Sequence, residues 1–188
     1  NCKFCSVGSG RPKPPDPDEP GRLAELAERL KLRYLVITSV DRDDLADGGA
    51  GHFRDCINTV RRRVQGIRFE ILTPDFLGRQ QKAQNDMQQA LPFVFAHNVE
   101  TVPRLYKTAR PGANYEKSLE LLRLAKEKYG DVFTKSSLML GLGEEDDEIE
   151  QVMTDLRAAS CDRITLGQYL KPSADSLDVV EYVRPEKF

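Results

Sequence analysis

Cys2 and Cys5 form a C-x-x-C pair in the opening stretch Asn1-Cys2-Lys3-Phe4-Cys5, and the small-residue run Ser6-Val7-Gly8-Ser9-Gly10 follows before Arg11. Two thiolates at this spacing sit on one tight turn and can face a common metal or cluster, while the glycines let backbone N–H groups approach the sulfurs. The pair by itself equally fits half of a zinc site or a dithiol redox centre. The other two cysteines are far from it: Cys56 reads as lying on a helix and Cys161 between a helix and a strand, both as packed thiols.

Further polar candidates recur along the chain. They are Ser39-Val40-Asp41-Arg42-Asp43-Asp44-Leu45 with Asp47-Gly48-Gly49, then Asn98-Val99-Glu100-Thr101, Gly141-Leu142-Gly143-Glu144, and Gln168-Tyr169-Leu170-Lys171. Each has a purely structural reading. Asp41, Asp43 and Asp44 fit a solvated loop capping a helix, Gly48-Gly49 a turn, and Asn98, Glu100 and Thr101 helix-start residues.

The elements that position these residues follow from periodicity. Pro12, Pro14, Pro15, Pro17 and Pro20, interleaved with acids, read as an extended connector into a helix from Arg22 to Lys31, with Leu23, Leu26, Ala27 and Leu30 as its apolar stripe. Tyr34 to Thr38 reads as a buried strand. Helices are then expected at Phe53 to Val64, Arg79 to Leu91, Tyr115 to Tyr129 and Asp147 to Ala159. Strands are expected at Ile67 to Leu72, Phe93 to His97, Phe133 to Leu140 and Arg163 to Gly167. Such alternation predicts an α/β fold with a parallel sheet, doubly wound or curled as a partial barrel. In either, the strand C-terminal ends carry the functional face, and the polar candidates follow four strands on that side. A shared ligand explains this more economically than four unrelated caps.

Composition narrows the partners. The 188 residues, 39% of them hydrophobic, suffice for one core domain over residues 1–188 but are short for a closed eight-stranded barrel. With 28 basic against 30 acidic residues, a net charge of -2 and a pI near 5.8, nothing draws the chain to nucleic acid or an anionic membrane. Four cysteines are too few for a disulfide scaffold and imply a reducing compartment. No apolar run approaches a membrane span, and no signal sequence opens the chain, which starts without Met and reads as a fragment.

Taken jointly and in order, Asn1 to Cys5, Thr38 to Leu45 with Asp47 to Gly49, His97 to Val102, Arg110-Pro111-Gly112, Thr134-Lys135-Ser136, Leu140 to Glu144 and Gly167 to Leu170 resemble the core of the lipoyl synthase family, within the radical S-adenosylmethionine (radical SAM) superfamily. The resemblance implies a partial (β/α)6 barrel whose first strand would precede Asn1. It also implies a 4Fe-4S cluster on a C-x3-C-x2-C motif, of which Cys2 and Cys5 match the second and third ligands. The first cysteine would lie upstream of Asn1. The family's C-x4-C-x5-C segment, which holds a second, auxiliary 4Fe-4S cluster, and its R-S-S-Y segment are absent from the sequence.

The implied activity is SAM-dependent insertion of sulfur at C6 and C8 of an octanoyl-lysine. Its expected partners are an octanoylated lipoyl-carrier domain or glycine cleavage H protein and an electron donor of the ferredoxin or flavodoxin type. For SAM, the resemblance and side-chain chemistry together suggest Asn98 and Glu100 for the ribose hydroxyls, Ser39 and Asp41 for the methionyl ammonium, and Lys135 and Arg110 for its carboxylate. Gln168, Tyr169 and Leu170 would meet adenine. The expected location is the cytoplasm, with the mitochondrial matrix as the alternative. A biotin-synthase-type sulfur-inserting enzyme, a zinc or dithiol protein, and an inactive SAM-binding domain are the competing readings.

Overall fold

The computed structural model describes residues 2–8, 10 and 12–188; Asn1, Ser9 and Arg11 of the opening stretch lie outside the described residues. Its five strands are β1 Tyr34–Thr38, β2 Arg68–Leu72, β3 Val94–Ala96, β4 Phe133–Leu140 and β5 Arg163–Gln168. Helices α1 Glu19–Arg29, α2 Ala50–Arg63, α3 Gln80–Met87, α4 Tyr106–Ala109, α5 Tyr115–Tyr129 and α6 Asp146–Ala158 alternate with them.

The strands form one parallel sheet in the order β1-β2-β3-β4-β5. Tyr34 pairs with Arg68 through to Thr38 with Leu72, Glu70 with Val94, and Lys135 with Arg163 through to Leu140 with Gln168. A doubly wound sheet reverses its strand order at a switch point; this one never does, which is the winding of a (β/α) barrel. The α/β class with parallel strands therefore holds.

The chain divides into two compact units. One comprises Arg11–Ala96 and Leu124–Thr134, the other Asn1–Gly10, His97–Arg123 and Lys135–Phe188. In the first, Phe53, Ile57 and Val60 of α2, Phe69 and Ile71 of β2, and Phe95 of β3 are buried, and Phe95 packs against Tyr129 at 5.9 Å between ring centroids. In the second, the core is Val99, Val102, Tyr106, Tyr115, Leu122, Leu138, Leu140, Val152 and Leu156.

Two expectations about the first unit need correction. β1 was expected to be buried, yet Tyr34 and Val36 are exposed, because the strand lies at the end of the sheet order. In α1, Ala24 and Ala27 are the residues that turn inward, packing the helix tightly on α2, while Leu26 and Leu30 are exposed. A run of apolar residues marks a strand or helix but does not say which side receives a neighbour.

Candidate functional site

The cysteine turn is built into the second unit. Cys5 N donates to Cys2 O at 3.2 Å, closing the turn, and Val7 N donates to Cys5 Sγ at 3.4 Å. Lys3, between the cysteines, donates its amide to Ala109 O at 2.8 Å and accepts Leu177 N at 3.0 Å, so the loop is stitched on both sides. Phe4 supplies the apolar anchor, packing on a cluster of Ala109, Leu142 and Tyr169. Cys2 is half-buried and Cys5 exposed, and all four cysteines are free thiols.

A turn of this kind offers two thiolates to one ligand, with an N–H already directed at sulfur, and fits two corners of an iron-sulfur cluster. Among the described residues no group of three or more His, Cys, Asp or Glu side chains is arranged to hold a metal ion. Cys56, 3% exposed in α2, and Cys161, whose Sγ donates to Arg163 O at 3.2 Å, are the packed thiols expected.

After β3 the chain makes a sharp turn through Asn98, Val99 and Glu100. Glu100 takes a left-handed backbone, φ 68°, rare for a residue with a side chain. Its amide donates to Ser137 O at 3.0 Å and its carbonyl accepts Met139 N at 2.9 Å, an isolated parallel bridge to β4. Val99 N donates to Ser136 Oγ at 3.1 Å, and Val99 O accepts the Tyr106 hydroxyl at 2.8 Å. Asn98 and Glu100 are half-buried.

Arg110 is almost wholly buried. Its Nη1 donates to Asn98 O at 3.0 Å, Val99 O at 3.3 Å and the Tyr106 hydroxyl at 3.2 Å, and its guanidinium lies over the Tyr106 ring, 5.4 Å from the centroid. Tyr106 and Arg110 are four residues apart, the spacing that places two side chains on one helical face, and this spacing is the sequence signal for their contact.

Gln168, the last residue of β5, uses its amide on main chain. Nε2 donates to Tyr169 O at 2.8 Å and Glu181 O at 3.1 Å, and Oε1 accepts Val183 N at 2.8 Å. The Tyr169 ring is buried with its hydroxyl on Leu177 O at 2.8 Å, and Leu170 is 65% exposed. After β4, the Glu144 carboxylate accepts Gly141 N and Leu142 N at 2.9 and 3.1 Å, folding the Gly141-Leu142-Gly143 turn on itself.

Lys135 is the third of the eight residues of β4, paired with Arg163 at the start of β5, so it stands within the strand expected at Phe133 to Leu140. Ser39 and Asp41 belong to the other unit, where both are exposed beyond the end of β1 and Ser39 Oγ donates to Val40 O at 2.9 Å. In the acidic loop there, Arg42 makes a bidentate pair with Asp44 at 2.8 Å, Asp47 accepts Gly49 N and Gly51 N at 3.0 and 2.8 Å, and Arg79 ties the loop to α3 by donating to Asp43 O at 3.1 Å. Asp47, and not Asp41, Asp43 or Asp44, thus caps α2. Although partial burial opposes it, those N–H groups hold the Asp47 carboxyl below the usual carboxylate range.

The chain is 59% identical to lipoyl synthase of Thiobacillus denitrificans and 56% identical to that of Coxiella burnetii, in each case over 100% of the chain but 60% and 59% of the relative's length. It thus spans about three fifths of the curated relatives it matches. Among solved structures, Streptococcus suis SuiB bound to its precursor peptide SuiA superposes with a TM-score of 0.71 over 97% of this chain and 39% of SuiB, at 13% identity, a likeness of fold alone. The pattern of the radical SAM superfamily matches residues 1–156, from the cysteine turn through the strand-end turns to the end of the α6 core face, and by that match the chain belongs to the radical SAM superfamily.

Proposed function

We propose that the chain is the SAM-cleaving core of a lipoyl synthase, acting in the insertion of two sulfur atoms at C6 and C8 of an octanoyl-lysine on a carrier domain. The observation that carries this reading is the 54–59% identity to curated lipoyl synthases, sustained over the whole chain. Cys2 and Cys5 would hold two of the three cysteine-bound irons of a 4Fe-4S cluster. When bound, the reduced cluster and SAM supply a 5′-deoxyadenosyl radical.

The chain's own residues would bind and orient. Asn98 and Glu100 offer an amide and a carboxylate for the ribose hydroxyls, and both sit on a turn fixed by β4, as a site that must place a reactive carbon within about 3–3.5 Å of its target requires. Arg110 already donates to two main-chain carbonyls, so the methionyl carboxylate falls to Lys135, on the half-buried face of β4 shared with Ser137 and Met139. Gln168 to Leu170 would meet adenine with backbone and the exposed Leu170, since the Gln168 amide is engaged. The methionyl ammonium is assigned to Ser39 and Asp41 on residue type and on their place after β1.

The substrate would be an octanoylated lipoyl-carrier domain or glycine cleavage H protein, and the reductant a ferredoxin or flavodoxin. A second cluster would draw on ligands other than these residues. We assign the reaction to the cytoplasm from the likeness to bacterial lipoyl synthases. No helix among the described residues is long and apolar enough to cross a membrane.

The test is anaerobic reconstitution, with iron and sulfide, of the polypeptide extended to carry a third cluster cysteine and the ligands of a second cluster, followed by incubation with SAM, reductant and an octanoylated carrier peptide. Formation of 5′-deoxyadenosine and a peptide heavier by two sulfur atoms is expected. Zinc in place of iron, or SAM cleavage without sulfur transfer to this peptide, would reject the assignment. Within the same site, Glu100→Ala should weaken SAM binding about tenfold, the loss of a hydrogen bond to a charged group, with the far-UV circular dichroism unchanged. Unaltered SAM affinity would remove Glu100 from the site.

A further inference from the structure

We infer that Arg110 is a positioning residue: through the carbonyls of Asn98 and Val99 it sets the turn that presents Glu100, and through its neighbour Ala109 it ties that turn to the C-x-x-C loop. This rests on the reading in which Asn98 and Glu100 contact SAM.

The first observation is the backbone of Glu100. A glutamate at φ 68° is strained, and such a conformation persists where the surroundings over-determine it. On one flank β4 does so, through Ser136 Oγ, Ser137 O and Met139 N. On the other flank the restraint comes from α4. The Tyr106 hydroxyl donates to Val99 O while accepting from Arg110 Nη1, which itself donates to Asn98 O and Val99 O. Two successive carbonyls are thereby turned toward one guanidinium, which fixes the direction in which the chain enters Glu100.

The second observation is the burial of that guanidinium, 6% exposed, over the face of Tyr106. Tyr106 is held in turn by an edge-on contact with Tyr115, the rings 5.4 Å apart at 86°. A planar guanidinium donates in several fixed directions at once, which a lysine ammonium on a flexible stem does not reproduce. Arg110 is therefore built to orient main chain.

The third observation is the adjacent peptide. Ala109 O receives the amide of Lys3, the residue between the two cysteines, at 2.8 Å, and Ala109 also packs in the cluster that seats Phe4. One dipeptide, Ala109-Arg110, thus holds the cysteine loop by its carbonyl and the Glu100 turn by its side chain. A displacement of α4 would move both together.

The experiment is a mutant cycle on the polypeptide extended to carry the third cluster cysteine, reconstituted without air, comparing Glu100→Ala, Arg110→Met, Arg110→Lys, Tyr106→Phe and the double variants with Glu100→Ala. SAM affinity is read by equilibrium dialysis, fold by circular dichroism, and turn order by hydrogen exchange at the Val99 and Glu100 amides without SAM. Arg110→Met should weaken SAM about tenfold or more, and Arg110→Lys should recover part of that loss. Added to Glu100→Ala, Arg110→Met should cost less than about threefold more, because the two act through one contact. Exchange at Val99 and Glu100 should quicken in Arg110→Met and, less, in Tyr106→Phe.

If Glu100→Ala leaves SAM affinity intact, the reading of the site fails and this inference falls with it. If Glu100→Ala weakens binding but Arg110→Met and Tyr106→Phe do not, or if their effects add in full to it, the positioning role is overturned while the site stands. Should Arg110→Met fail to fold, Tyr106→Phe, which removes one hydroxyl and keeps the ring, decides by the same cycle.

Discussion

The Cys56 thiol is buried on the inner face of α2, and that burial, helped by the negative charges of Glu19 and Asp55, pushes it up to about 11. A thiol held neutral is a poor nucleophile. In the folded chain at about pH 8, iodoacetamide should label the exposed Cys5 and spare Cys56, as peptide mass spectrometry would reveal; rapid native labelling of Cys56 would contradict its burial. The same shift has a consequence for stability. The folded value lies above the unfolded one, so the contribution is complete below about pH 9 and is lost as pH rises toward about 11, an effect on the order of 2 kcal/mol. Tyr115 and Tyr129, both raised chiefly by burial, act in the same direction at higher pH. Cys56→Ala should flatten the decline in denaturant midpoint between pH 9 and 11. At this scale the sequence is legible for chemical type but not for partner. The spacing of Cys2 and Cys5 correctly placed two thiols on one turn, and Cys56 was correctly read as packed. Arg110, by contrast, looked like a counter-ion for a carboxylate and instead serves carbonyls twelve and eleven residues earlier, a contact that only the folded turn creates.

The elements show the same limit differently. Tyr115–Tyr129 and Phe133–Leu140 match the expected spans because each has an uninterrupted period, and most others agree within a few residues at their ends. The short helix α4, preceded by a 3-10 turn at Pro103–Leu105, was not expected: four residues after a proline are too few for periodicity to register. That omission hid the helix that begins at Tyr106 and is capped at its C-terminus by Arg110. The turn after β4 was recognised by its glycines, and the structure explains why Gly141 has no substitute. Its φ is 105°, and a Cβ there would run into the Glu181 carbonyl and the Gln168 amide, while its own carbonyl accepts Val180 N at 2.8 Å. Gly141→Ala should therefore cost roughly 2 kcal/mol or more and loosen residues 178–183, the segment that Gln168 and Gly141 hold down. Urea unfolding measures the first effect, and faster hydrogen exchange at the Val180 and Val183 amides the second. Native-like exchange in the variant would mean that the segment is held by other contacts.

For the whole molecule, alternating strands and helices correctly announced an α/β fold, but the sequential order of the sheet is a long-range fact that no local pattern carries. The exposure of β1 follows from that order: Val36, 55% exposed in the middle of a strand of five apolar and β-branched residues, would be core in any central strand. The cysteine loop illustrates the reverse dependence of a local motif on distant chain. Its amide and carbonyl are taken by Ala109 and Leu177, more than a hundred residues away, so two thiols near the N-terminus are presented only when the strand-end turns have assembled. Presentation is nevertheless not ligation. Among the described residues the turn carries two thiols, and neither Cys56, buried on α2, nor Cys161, bonded to Arg163 O, stands with them in a metal-binding group. Cluster affinity depends on ligand number and geometry, so two thiolates should retain iron weakly. The 188-residue polypeptide, reconstituted with iron and sulfide without air and passed over a desalting column, should keep well under four irons per chain and give little sulfur-to-iron absorbance near ~400 nm. Supplying a third cysteine three residues before Asn1 should bring both up together. Four stable irons and 5′-deoxyadenosine from the unextended polypeptide would instead mean that a third ligand lies within these residues, and that the cysteine turn is not the whole protein contribution to the centre.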